Sequence, residues 1–388
     1  MKLVHKSLSL LVGFLVLMLS FSAVANKELK NEGDTLAHKA HENKHSDEAA
    51  HHPVKIEGAV NTVEEIQAYK DHHLLDAHDF TFFTDGKEGK HYGFPLPVIL
   101  WDSEAGLQMF MSSKFHHGEA VAENNGNYYA EFHGKIYKTN AAGELHLDEH
   151  GHPTNAKPID FSITKNVVGM LLTALIMMYL FIKLARSYSK GPVPTGVGRA
   201  LEPLVLYVRD EIARPNIGDK RYREFMGFLL TVFFFIWILN LLGMTPLAFN
   251  VTGNIAVTLC LALFTFIIVQ FKGNKEYWGH IFWMPGIPTP MKIVLAPIEV
   301  LGMFTKPFSL TMRLFANITA GHMVIMSLIS LVIVLKSQFG LVASSGISFV
   351  LTLFISLIEL LVAFLQAFIF TMLSSLFIGL AVAEHDHH

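Results

Sequence analysis

Six polar or ionisable residues stand where the sequence is otherwise apolar: Glu299, Arg313, Asn317 and His322 in one region, Glu359 and Gln366 in the next. An arginine at the centre of a bilayer costs from about 3 to more than 10 kcal/mol. Even the low figure offsets the insertion energy of several leucines. Arg313, near the middle of the stretch KPFSLTMRLFANITAGHM (306–323), is therefore expected to be a functional charge. A carboxylate and an imidazole that meet inside a membrane have coupled protonation states and can exchange protons. The chemistry these residue types suit is the movement of protons through an apolar barrier.

Spacing sharpens that expectation. On a helix Glu299, which lies 14 positions before Arg313, sits about 40° from it around the axis, and Asn317 about 40° to the other side. The three share one face. Glu359 and Gln366, seven positions apart, also share a face. If the two regions pack antiparallel with Gln366 level with Arg313, Glu359 falls within two residues of the level of His322. His322 is nine positions from Arg313, about 180° around a straight helix. Either the helix twists near Gly321, or the arginine and the His–Glu pair face different compartments. The second arrangement suits a half-channel leading to a separate site.

The elements that must position these residues are membrane spans. The chain has 388 residues, of which 51% are hydrophobic and only 16% charged, which argues against a pair of soluble domains. A net charge of −3 suggests no nucleic-acid partner. The single cysteine, Cys260, excludes an intramolecular disulfide. About 20 apolar residues cross a bilayer, and five regions qualify: about 166–184, 225–247, 251–271, 291–335 and 346–383. The expected fold class is thus an all-α polytopic membrane protein, preceded by a small β-rich domain. Lys183, Arg186, Lys190, Arg199, Arg209, Arg214, Lys220, Arg221 and Arg223 make the connection after the first span the most basic one, hence cytoplasmic. Within it, Ala200–Ile212 alternates at helical spacing and suits an interfacial helix. The third span then ends near Lys272 and Lys275 on the same side, and the C-terminus is cytoplasmic. The last two regions, about 45 and 38 residues, exceed the hydrocarbon thickness about twofold. They demand strong tilt, or a break near Pro297 or Pro307.

The front of the chain differs. Residues 1–25 have the charged start, apolar middle and Ala23-Val24-Ala25 site of a secretory signal, which places the region after residue 25 outside the membrane. On a polytopic chain this suggests a bacterial inner membrane with a periplasmic N-terminal region. Residues 26–54 are His-rich and charged, as expected of a disordered segment. From 55 to 160 short β-like runs appear at His91–Trp101, Leu107–Phe115 and Tyr128–Thr139, with the turn-rich Glu123–Asn127 separating the last two. Fifteen of the 21 histidines lie between His38 and His152, including His72-His73, His116-His117, His146, His150 and His152. They lack carboxylate or cysteine partners at a convincing spacing, so a solvated surface is favoured over a metal site.

The motifs of residues 166–384 together resemble the a subunit of the membrane sector of F-type ATP synthases. The match rests on KPFSLTMRLFANITAGH and LQAFIFTML (365–373), supported by VRDEIARPNIG (208–218), NLLGMTPLAF (240–249) and GNIAVTL (253–259), all in family order. The resemblance implies that Arg313 is the stator arginine facing the essential carboxylate of each passing c subunit. Glu299 matches an acidic residue towards the cytoplasmic half-channel, seven before the Lys306-Pro307 pair. Asn317 and Gln366 match polar residues around the arginine. His322 and Glu359 match two positions where family members carry a histidine and a carboxylate in either order. It further implies a proton-translocating subunit without catalysis, cofactor or metal of its own. Its implied partners are the c-subunit ring, the b subunit of the peripheral stalk, the remaining complex and membrane lipid.

Two other classes fit less well. A His-rich metal-ion transporter needs several ligands inside the membrane, where only His322 and Glu359 stand, far apart in sequence. An ion-driven motor stator needs a membrane aspartate and a peptidoglycan-binding tail, and neither is present. Residues 26–160 lie outside the resemblance, and their role is open.

Overall fold

The computed structural model describes residues 76–84, 91–118, 120–148, 152–189, 191, 193–245, 249–284 and 286–383. The expected signal, the His-rich segment 26–54, His72-His73 and His150 lie outside the described residues.

The described front of the chain holds short antiparallel strands: β1 (Asp79–Thr84), β2 (His91–Pro95), β3 (Pro97–Asp102), β4 (Gly106–Met111), β5 (Ala122–Asn124), β6 (Asn127–Phe132), β7 (Lys135–Thr139) and β8 (Ile159–Asp160). They form three small sheets, β1-β2, β4-β3-β8 and β5-β6-β7. Two of the β-like runs divide. His91–Trp101 breaks at Leu96 into strands of different sheets, and Tyr128–Thr139 folds back on itself at His133-Gly134. Leu107–Phe115 leaves the strand after Met111 and closes as a 3₁₀ turn, Ser112–Gly118. Asn125 and Gly126, at φ 50° and 78°, do close a hairpin, but they join β5 to β6 rather than the two longer runs. Positive φ at both central residues gives the turn a twist that matches the strands, which is why Asn-Gly suits it.

Val98, Leu100, Phe110, Phe115, Ala122, Tyr129 and Ile136 form the core of this region. Tyr129 donates to Asp102 Oδ2 at 3.0 Å, and Lys138 Nζ lies 3.0 Å from the same oxygen. Burial alone would raise the Asp102 carboxyl, but the Glu104 N–H, Lys138 and Tyr129 outweigh it and hold it low. His78, 1% exposed, has Nε2 at 2.8 Å from Asp160 and Nδ1 at 3.2 Å from Glu131. Two carboxylate acceptors require both ring nitrogens to donate, so the ring is an imidazolium. Burial opposes the charge, but Asp160 and Glu131 prevail and push the pKa up to about 10.

Among the described residues five helices are long and apolar enough to cross a membrane, in agreement with the five apolar regions. They are α1 (Lys165–Tyr188), α3 (Tyr222–Gly243), α4 (Ile255–Lys272) and the two legs of α6 (Thr289–Val382), Thr289–Lys336 and Gln338–Val382. Between α1 and α3, α2 (Val197–Tyr207) continues as a π-helical turn, Val208–Ala213, and a last turn, Arg214–Ile217. The short α5 (Lys275–Phe282) links α4 to α6. α3 is the central helix: Leu229, Val232, Phe233 and Ile236 are fully enclosed. Phe364 of α6 meets Phe233 and Trp237 edge-on at 5.8 Å.

The strands sit against the ends of these helices. Phe80 packs against Phe249 with the ring centres 5.5 Å apart and the planes tilted, and the Lys165 N–H donates to Ala77 O. Asp76 accepts from the Asn166 N–H and the Thr164 hydroxyl, so a carboxylate from outside the helix caps α1. At the opposite end Asn274 and Arg221 donate to Val382 O, satisfying carbonyls that a helix end leaves unpaired.

The expectation of a break near Pro297 or Pro307 is corrected. The first leg runs helical through both prolines, and the non-helical residue is Gly340, at φ 75°, in the connection between the two apolar regions. A reversal needs a left-handed residue, which glycine adopts without steric cost, whereas each proline removes only one helical bond. The legs, 48 and 45 residues, extend about 72 and 68 Å.

Candidate functional site

The two legs of α6 lie antiparallel, and their register can be read from side chains. The Ser348 hydroxyl donates to Leu328 O near the Gly340 turn. Glu359 lies against Gly321, where an added Cβ would come within 2.6 Å of Glu359 Oε1. Further along, Lys306 Nζ stands 5.3 Å from the Phe377 ring. Seven residues beyond Glu359, Gln366 therefore reaches the level of Leu314, next to Arg313. This register lies within a residue of the one expected from spacing, but Glu359 meets Gly321 rather than the His322 ring.

Within the hairpin Gln366 and Glu359 are buried, at 4% and 6% exposure. Arg313, Glu299 and His322 are half-buried, and Asn317 is exposed. Among the described residues no ion pair reaches Arg313. Glu359 Oε2 is buried with no hydrogen-bond partner. A buried polar atom left unpaired is costly, so its persistence asks for a reason outside the folded chain.

The first leg stays helical through Gly321. A twist there is therefore not what reconciles Arg313 with His322, and the two side chains point to opposite sides of the leg. His322 faces Gly243 at the end of α3: a Cβ on Gly243 would lie 3.3 Å from His322 Nε2 and 2.9 Å from Phe249 O. Glycine at 243 lets the imidazole and the following turn approach together. Glu359 and His322 thus share one level, Glu359 against the backbone of Gly321 and His322 against α3. Glu299 is not part of this group. It lies about 21 Å from Arg313 along the same leg, towards the end remote from the strands.

Two further polar residues belong to the site although sequence reasoning assigned them no role. Asn240 of α3, 3% exposed, donates to Ala363 O at 3.4 Å and accepts from Thr252 at 3.0 Å. Ala363 is one helical turn from Glu359. An asparagine inside an otherwise apolar span was the available signal. Near the opposite end, a cavity of about 260 Å³ between α4 and α6 is lined by Thr265, Gln270, Tyr277, Lys306 and Phe377, among others. Gln270 donates to the Tyr277 hydroxyl at 3.4 Å, and its own Oε1 is buried without a partner. The arrangement offers polar stations at two depths, displaced from each other along the hairpin, with the arginine between them.

The segment VRDEIARPNIG serves the hairpin from outside it. Ser375 donates to Ile212 O at 2.9 Å, and Gly379 lies so close to Asn216 O that a Cβ would overlap it. The π-helical turn thereby seats the second leg.

Residues 167–379 match the family profile described as ATP synthase A chain. Residues 69–161 match a second profile, a domain of unknown function (DUF8433). The chain is 46% identical over 254 residues to ATP synthase subunit a 2 of Chlorobaculum tepidum, covering 63% of this chain and 69% of the relative. It is 45% identical over 234 residues to ATP synthase subunit a of Chloroherpeton thalassium, covering 59% and 69%. With ATP synthase subunit a of Myxococcus xanthus the identity is 48% over 235 residues, covering 59% and 76%.

Proposed function

The chain belongs to the ATP synthase A chain family, as a multi-pass membrane subunit of an F-type ATP synthase, and from that premise we propose how its residues couple proton flow to rotation. Residues 161–388 are the membrane channel domain, and residues 55–160 lie on the outer face of a bacterial inner membrane, with the C-terminus inside. The partners are the c-subunit ring along the exposed face of the α6 hairpin, the b subunit of the peripheral stalk and, through them, the rest of the complex.

A proton enters from outside through a half-channel at His322 and Glu359 and neutralises a c-ring carboxylate at the level of Arg313. Neutral, that carboxylate can face lipid; ionised, it cannot, because hydrocarbon penalises the ion. The ring turns until the carboxylate reaches the inner half-channel, where Glu299, with Gln270 and Lys306 towards the same end, leads the proton away. Arg313 pairs transiently with the ionised carboxylate and repels protons, which keeps the half-channels from joining. Each charge crossing about 100 mV yields roughly 2.3 kcal/mol, so several are summed per ATP.

The observation that carries this reading is the hairpin itself: a half-buried arginine with no ion pair among the described residues, level with buried Gln366 and close above a buried, unpartnered carboxylate. A charge so placed is satisfied by a partner that arrives from another chain. The test is ATP-driven proton pumping by the assembled complex in inverted vesicles. Arg313→Ala is expected to lose acidification and gain passive leak. Normal pumping by that variant overturns the assignment.

A further inference from the structure

A recess of about 320 Å³ opens where the strands meet the helices, lined by Asp76, His78, His133, Asp160, Thr164 and Asn254, among others. Its walls come from separate parts of the chain. Asp76 and His78 precede β1, His133 is the β6–β7 turn, Asp160 is in β8, Thr164 opens α1, and Asn254 caps α4. The recess is open to solvent, and its polar lining leaves room for water beside these side chains.

The charge of the recess has a definite sign. Asp76 and Asp160 line it and Glu131 shares His78 with Asp160, while His78 is the cation in the wall; buried Lys165, behind Thr164, lies within electrostatic reach of Asp76 and Asp79. Carboxylates outnumber cations, and a narrow site with low-dielectric walls focuses such a field and concentrates cations. Among the described residues no group of three or more His, Cys, Asp or Glu is placed to hold a metal ion.

The floor of the recess lies over the proton path. Thr252, two residues before Asn254, bonds Asn240. Phe249 O and the His322 ring pack on the same face of Gly243. Lys165, adjacent to Thr164, is within electrostatic reach of His322. His78 ties β6 and β8 together over this floor, so the recess keeps its shape.

We propose that this recess is the outer mouth of the proton route, a water-filled antechamber built jointly by the β region and the helix ends. It gathers hydrated protons and passes them down towards His322 and Glu359. The assignment rests on the half-channel at those two residues.

The test uses cysteines on the recess wall and floor, Thr164→Cys and Asn254→Cys, in a complex whose buried native thiol is removed by Cys260→Ala. Membrane-impermeant cationic and anionic methanethiosulfonates are applied from the side bearing the strands, and each variant is compared with itself before modification. Passive proton conduction is expected to fall to background on modification, with the cationic reagent reacting about tenfold faster than the anionic one. Unreactive thiols, full conduction after complete modification, or faster anionic reaction overturn the proposal. If the capping contacts of Thr164 and Asn254 prove necessary for assembly, His133→Cys on the exposed rim carries the same charge comparison. Arg313→Ala, measured in parallel, separates the two readings. Lost pumping in that variant together with a silent recess defeats only the antechamber.

Discussion

His78 and Arg313 are both cationic side chains withdrawn from water, and the protein treats them in opposite ways. His78 is enclosed, and each of its ring nitrogens meets a carboxylate. Arg313 is half-buried in an apolar leg, and no ion pair among the described residues reaches it. A buried charge with complete partners holds a structure in place. One without partners is held ready for something that comes and goes. The same contrast separates Asp160, which accepts from His78 and Ser162, from Glu359, whose Oε2 accepts from nothing.

Replacing Arg313 should have the largest effect, since it removes the charge on which the separation of the two half-channels is read to depend. The expected outcome is complete loss of ATP-driven acidification in inverted vesicles.

Exchange of the acid and the base one level away sharpens it. The double variant His322→Glu with Glu359→His is expected to conduct at least about tenfold faster than either single loss, a difference of ~1.4 kcal/mol in barrier. Equal loss in single and double variants, read by passive conduction through the membrane sector, would count against the pair.

Gly321→Ala is a subtler probe, because the new methyl would lie 2.6 Å from Glu359 Oε1. Conduction should fall several-fold while the complex still assembles. Gly346→Ala, with nothing within 4 Å, should leave the rate unchanged.

His78 is expected to act on stability. His78→Ala leaves two partly buried carboxylates without their cation and should cost at most about 3 kcal/mol, seen as faster proteolysis of the β region in intact vesicles. The pH dependence has a definite sign. The folded pKa, about 10, lies above the unfolded one, so the stabilisation is fully present below about pH 6.5 and is lost as pH rises towards 10. Proteolysis of the wild-type β region should therefore accelerate over that window, and a flat rate would contradict the imidazolium.

The smallest effect is expected at Lys272 and Glu224, which pair across α4 and α3 with both side chains nearly half exposed. Lys272→Ala should cost at most about 1 kcal/mol, and less in high salt.

Much of the membrane half was legible in the sequence because a bilayer imposes a simple rule. Spans must be long and apolar, so an arginine or a glutamate within one stands out, and helical periodicity then assigns it a face. The antiparallel level of Gln366 with Arg313 and of Glu359 with His322 came from counting alone. The strands were less readable. The run Tyr128–Thr139 mixes apolar and charged residues on both sides of His133-Gly134, whose left-handed turn divides it into two strands.

What the sequence determined by itself was therefore local and periodic: the five spans, the faces of their polar residues and the family motifs. Tertiary structure decided whatever depends on residues distant in the chain. It kept the first leg helical through both prolines, brought Asn240, held by Thr252, to the carbonyl one turn from Glu359, and carried Asp76 across 90 residues to cap α1. The physical reason is that periodicity encodes which face a side chain takes. Which neighbour fills that face, and which charge is left without one, is settled only when separate elements pack.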